Sequence, residues 1–416
     1  MKLFGLLLLA IASTTGLATG AFAGTRPRYG GILRLTLREA PTSLDPGNSL
    51  QPETQSLRSL SRLVFDTLVN VDVHGQPRAG LATSWQAEPG NQRWRFNLRH
   101  GVTFHDGTAV SPDAIAASLR TANPNWKVFA TGDAVVIECD VATPTLPAIV
   151  ALPRYGIAKR SGGGLKGTGP FAIDHWEPGK KLTLGARDDY WGGRAFVDLI
   201  EIELGKNFRE QLTALDLGKA DVVEVASDQS RNAVGEGRHV ETSLPTEWMG
   251  LVFTRNAQSA DDEKLREALA LSIDRESMNS VLLQGGGEPA GSLLPDWMTG
   301  YAFLFPVGAD LARARQLRTE AHQAPSWTLG YDTGDPLARI IGERIALNAR
   351  DAGLTLQPTN SATVDVQLVR LQLASLDPRL ALTTLAALLG MPKPKLDDDT
   401  VENLYSAESA LLQSEQ

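Results

Sequence analysis

Few residues in this chain stand where their types could do chemistry. His105 and Asp106 are adjacent and would offer a ring nitrogen and a carboxylate to a metal, but two neighbouring ligands without a third or fourth do not close a coordination sphere. The six histidines are scattered, with no H-x-x-x-H and no Cys-x-x-Cys spacing, so the pair reads better as part of a turn than as a metal site. The glycine stretches Gly162 to Gly169 and Gly285 to Gly287 would suit a phosphate cradle. Neither ends in the Lys-Ser/Thr of a P-loop, and neither shows G-x-G-x-x-G after a strand, so they read as linker and turn. There is no G-x-S-x-G elbow, and the one cysteine, Cys139, lies in a stretch that reads as strand. The sequence thus displays no nucleophile and no cofactor motif.

The elements around His105 are legible from pattern. Trp94, Phe96 and Leu98 alternate with Arg95, Asn97 and Arg99, which predicts a strand with one apolar and one solvated face. Gly101 ends it, Val102 and Phe104 read as a short second strand, and Asp106-Gly107 supplies a tight turn in which glycine takes a positive φ. Ser111 caps a helix, Pro112 fits its first turn, and Ile115, Ser118 and Leu119 follow at helical spacing.

At 416 residues the chain calls for two or three domains. With 40 basic against 48 acidic residues it carries a formal charge of −8, and no basic face offers itself to a nucleic acid. Met1-Lys2, the apolar run Leu3 to Ala12 and Ala21-Phe22-Ala23 have the charged start, apolar middle and small-x-small end of a cleavable secretory signal, which predicts maturation before Gly24 and a periplasmic location. No cysteine near that point could carry a lipid, and a single cysteine cannot form an intrachain disulfide.

The order R-x-G-V-x-F-H-D-G-T, S-P-D-A-I and helix resembles the signature of family 5 extracellular solute-binding proteins, the periplasmic receptors for oligopeptides, dipeptides and nickel that serve ABC importers. Gly30-Gly31 with Asp45-Pro46, Phe65 to Val69, Leu81 to Trp85, Gly167 to Phe171, Asp189 to Gly193 and Leu265 to Arg275 resemble further family motifs. The resemblance implies an α/β, two-lobed periplasmic-binding-protein fold with an accessory subdomain. Residues 24–50 and 165–245 are expected in the larger lobe, 51–164 in a shortened accessory subdomain and 246–416 in the second lobe, after a signal peptide over 1–23. Residues 161–164 read as a flexible glycine linker.

For ligand contacts the resemblance points to lobe junctions: Tyr155, Trp248, Trp297, Tyr301 and Asp377. Core packing is the alternative for the aromatics, and a helix N-cap is the alternative for Asp377. The function implied is capture of a small, peptide-like solute and its delivery to the permease of an ABC importer, with no chemical step. A secreted hydrolase on an α/β scaffold, or a non-transporting relative of the family, is the rival reading. Residues 398–412 resemble a helix that family members place before a last strand returning to the larger lobe. With no such strand following, a bare sheet edge prone to association is expected, and a monomer if that edge is covered.

Overall fold

The computed structural model describes residues 29–48, 54–161, 164–226, 229–243, 246–299, 307–322 and 326–390. The signal segment, Tyr301 and residues 398–412 lie outside them.

The chain opens with β1 (Ile32–Thr36) and the helix α1 (Gln55–Val64), capped by the Thr54 side chain. It then builds an accessory lobe from β2 (Val69–Val71), β3 (Pro77–Ala79), β4 (Ala82–Ala87), β5 (Arg93–Leu98), α2 (Pro112–Ala122), β6 (Lys127–Thr131), β7 (Ala134–Glu138) and α3 (Leu146–Val150). Strands β4 to β7 form an antiparallel sheet in the order β4-β5-β7-β6. Trp94, Phe96 and Leu98 are buried on its inner face with Ile115 and Leu119 of α2, as the alternation and helical spacing require. Ser111 caps α2 through the Ala114 N–H. Val102 and Phe104 are buried but form no strand; an isolated Thr103–Ala109 bridge and the Phe104 N–H bond to the Thr108 carbonyl close the Asp106-Gly107 turn, with Gly107 at φ +79°.

Strand pairing reaches into both ends of the stretch expected as a linker. β8 (Lys159–Ser161) and β9 (Gly164–Lys166) pair antiparallel, and Arg160 reaches Asp45 in an ion pair. The larger lobe then completes its sheet with β10 (Phe171–Glu177), β11 (Lys181–Ala186), β12 (Leu199–Glu203), the helix α4 (Phe208–Asp216), β13 (Val222–Val223) and the short α5 (Ser230–Gly235). The order is β10-β11-β12-β1-β13, parallel about β1 and antiparallel from β12 outward. Leu60, Val64 and Phe65 are buried with Leu182, Leu184, Ile200 and Ile202, so α1 packs into the larger lobe although its place in the sequence predicts the accessory segment.

The second lobe comprises β14 (Glu247–Phe253), α6 (Ala260–Ser272), α7 (Arg275–Ser277), α8 (Asp296–Thr299), α9 (Leu311–Glu320), β15 (Ser326–Gly330), α10 (Pro336–Asp351), β16 (Thr355–Thr359), β17 (Val366–Gln372) and α11 (Pro378–Leu388). Its sheet runs β14-β17-β15-β16, and Trp327, Leu329, Ile341, Ile345 and Leu265 fill the core between sheet and helices. Each lobe thus has its own buried cluster, as separate domains require.

Candidate functional site

The family-like motifs converge on one joint between the larger and accessory lobes. Asp66, just past α1, accepts hydrogen bonds from Tyr190 Oη at 2.8 Å, Trp191 Nε1 at 2.9 Å and Thr168 Oγ1 at 2.9 Å. Burial raises its carboxyl above the usual range against the pull of these three donors. The buried Arg187 grips Asp189 with two nitrogens at 3.0 and 2.9 Å and donates to the Thr103 carbonyl and hydroxyl. His105 Nδ1 accepts from the Gly167 N–H at 3.2 Å, and Nε2 faces the Gly169 carbonyl at 3.3 Å, which makes Nε2 the protonated nitrogen. Asp106 pairs with Lys159 at 2.7 Å. The adjacent residues that suggested a metal pair are therefore spent on separate tasks, backbone bracing and a turn.

Burial lowers the His105 pKa from 6.5 to about 4. The unfolded chain then binds more protons than the folded one between those values, so His105 costs stability as pH falls across that window, by about 2 kcal/mol once partial solvation is allowed for. Asp66, with its raised carboxyl, works in the opposite direction near the acid end. Urea unfolding at pH 6.5 and pH 4.5 should therefore show a steeper loss for the native protein than for His105→Asn; equal slopes would contradict the buried neutral imidazole.

A cavity of about 350 Å³ opens where the lobes meet, lined by Leu37, Arg38 and Glu39 after β1, Gln55, Ser56 and Ser59 of α1, Glu224 after β13, and Thr246, Glu247 and Gln372 of the second lobe. Ties between the lobes stand close by. Arg58 Nη1 donates to the Leu373 carbonyl at 2.6 Å, and Gly75, at φ +77° in the β2–β3 turn, lies so near the Leu376 carbonyl that a Cβ there would come within 2.3 Å of it. Another hollow, of about 370 Å³ beside α4, is walled by the larger lobe alone; there Lys206 pairs with Glu203, and Glu210 closes the α4 capping box. The cavity that both lobes build is the candidate site.

Of the residues predicted from sequence, Trp248 is nearest to it. Register pairs Glu247 with Gln372 and Trp248 with Leu371, so alternation sends the first pair to one face of the sheet and the second to the other. Trp248 consequently flanks the cavity without lining it. Its half-buried indole lies along the strand over Gly250, where a Cβ would stand 2.1 Å from Cη2. Trp297 packs with Leu294, Met298, Leu373 and Leu385 in a small cluster that Leu371 also joins, and its Nε1 is shielded from solvent with no acceptor among the described residues. Asp377 is 4% exposed and caps α11, Oδ1 accepting from the Leu380 N–H at 2.8 Å, so the capping alternative accounts for its carboxylate. Tyr155 is buried in the accessory core and stacked on Trp126 at 4.8 Å between centroids, which is the packing alternative. The residues that do line the cavity, Glu39, Glu247 and Gln372 above all, were missed, since no local motif marks them.

Residues 76–377 match the model of the bacterial extracellular solute-binding proteins, family 5. The chain belongs to that family. It is 23% identical over 332 residues to the probable D,D-dipeptide-binding periplasmic protein DdpA of Escherichia coli, a match that covers 71% of this chain and 64% of that protein. The chain spans about half to two thirds of the length of such curated relatives. Among solved structures it resembles NikA from Brucella suis in complex with Fe(III)-EDTA, with a TM-score of 0.76, 18% identity and coverage of 92% of this chain and 91% of that one. The ABC transporter substrate-binding protein CtaP from Listeria monocytogenes gives a TM-score of 0.74 at 18% identity, with 91% and 89% covered. At such identities the likeness establishes the two-lobed α/β fold of this family member and leaves its solute to chemical argument.

Proposed function

We propose that this protein is the periplasmic solute-binding receptor of an ABC importer, that it captures a small peptide-like solute at the lobe junction, and that it presents the closed form to a membrane permease. The observation that carries the reading is the cavity shared by Leu37–Glu39 and α1 on one side and the ends of β14 and β17 on the other. A solute held there touches both lobes at once. It therefore has a differential affinity for the closed arrangement, which is the only way a ligand can shift a conformational equilibrium. No bond need be made or broken. Export through a cleaved signal and action as a monomer belong to the same proposal.

In this reading Trp248 stands at the rim, on the sheet face opposite Glu247, and meets a solute that extends past the cavity lining. It is half-buried, outside the buried clusters, and held flat by Gly250. Trp248→Ala should weaken solute binding by about 1–3 kcal/mol, the scale of losing an aromatic contact, and leave Tm nearly unchanged. Native mass spectrometry of protein purified without denaturation reads the bound fraction directly. Full retention of the co-purified solute by the variant, with a fallen Tm, would make Trp248 a packing residue.

A further inference from the structure

We infer that the solute carries a cationic, donor-rich group, a protonated amine or a guanidinium, that seats against Glu39, Glu247 and Gln372 in the interlobe cavity. This rests on the receptor reading and specifies its substrate class. The cavity lining holds three carboxylates, Glu39, Glu224 and Glu247, against one cation, Arg38. That cation is shared: its guanidinium lies over the Phe208 ring at 5.0 Å and still acts on Glu247, while its backbone N–H bonds to Glu224. Glu224 is further satisfied by Gln211 Nε2 at 3.0 Å. Arg370 reaches Glu247 only at 3.3 Å and is shared with Asp335 at 2.9 Å.

Two acceptors on this lining are left over. Glu39 Oε2 and Gln372 Oε1 are cut off from solvent and have no donor among the described residues. They belong to opposite lobes, Glu39 following β1 and Gln372 ending β17. Shielded oxygens without donors are costly, and a carboxylate more so than an amide. A water would satisfy hydrogen bonding but leave the excess negative charge, whereas an ammonium or guanidinium supplies several N–H donors and the compensating charge together. Burial, with Asp335 nearby, raises the Glu247 carboxyl above the usual range against the pull of Arg370 and Arg38. A carboxylate or phosphate placed here would meet like charge on both lobes. The α-amino end of a peptide-like solute, or a basic side chain, fits the lining.

The test is isothermal titration of the full chain at low ionic strength with argininamide, 1,4-diaminobutane and dialanine, set against N-acetylalaninamide and succinate. The three amines should bind, the neutral and anionic probes should not, and Glu39→Gln and Glu247→Gln should each weaken amine binding about tenfold to a hundredfold. Glu343→Gln, on the exposed face of α10, should change nothing. Neutral or anionic probes binding as well as the amines would overturn the cationic class and leave the receptor reading standing. Wild-type amine affinity in both carboxylate variants would overturn the assignment of these residues. Absence of any probe binding, with no solute on the natively purified protein, would count against the receptor reading itself and this inference with it.

Discussion

Asp66→Ala should cost the protein about 3–5 kcal/mol, one of the larger losses open to a single substitution outside the apolar cores. The carboxylate gathers three side-chain donors, two of them from Tyr190-Trp191, more than 120 residues away in sequence. Deleting it strands a phenol, an indole N–H and a hydroxyl where water reaches them poorly, so the loss is set by three unmatched donors and exceeds the net value of the bonds removed. Urea denaturation checks this through the midpoint at constant slope. A loss below about 1 kcal/mol would mean that the joint takes up water or repacks at little cost.

Gly167→Ala should be of similar size for a steric reason. A Cβ at Gly167 would stand 2.0 Å from the Val64 carbonyl oxygen and 2.7 Å from the Phe65 ring, and neither the end of α1 nor a buried aromatic can yield by an ångström without opening the larger-lobe core. Overpacking of this kind costs about 3 kcal/mol. Gly101 provides the contrast: it sits at φ +75° and a Cβ there would meet nothing within 4 Å, so Gly101→Ala should lose only about 1 kcal/mol of backbone preference. Parallel denaturation of the two variants checks the order, and equal losses would show that close packing is not what fixes glycine at 167.

These two positions show what was readable in the sequence. Motifs such as Phe65-Asp66, Gly167-Thr168-Gly169 and Tyr190-Trp191 revealed the family because they are framework. Their residues touch one another across the joint, so in this chain each is constrained by the others. The alternation in β5 and the Ser111-Pro112 start of α2 were legible because their causes are local. The candidate site was not, because Glu39, three residues past β1, and Glu247 and Gln372, at the ends of β14 and β17, meet only when both lobes are assembled, and each is unremarkable in its own segment. The burial of Tyr155 was hidden for the same reason, since its stacking partner Trp126 lies 29 residues earlier. The glycines near 161–164 suggested slack because composition does not reveal that the flanking residues pair as β8 and β9.

Capture between two lobes is the central claim, and small-angle X-ray scattering tests it most directly. The protein purified with its solute is compared with the same protein stripped by reversible unfolding and refolded. The account predicts a smaller radius of gyration for the loaded form and recovery of that value when solute is returned to the stripped form. Superimposable profiles, with native mass spectrometry confirming that solute is bound in one sample and absent in the other, would contradict it.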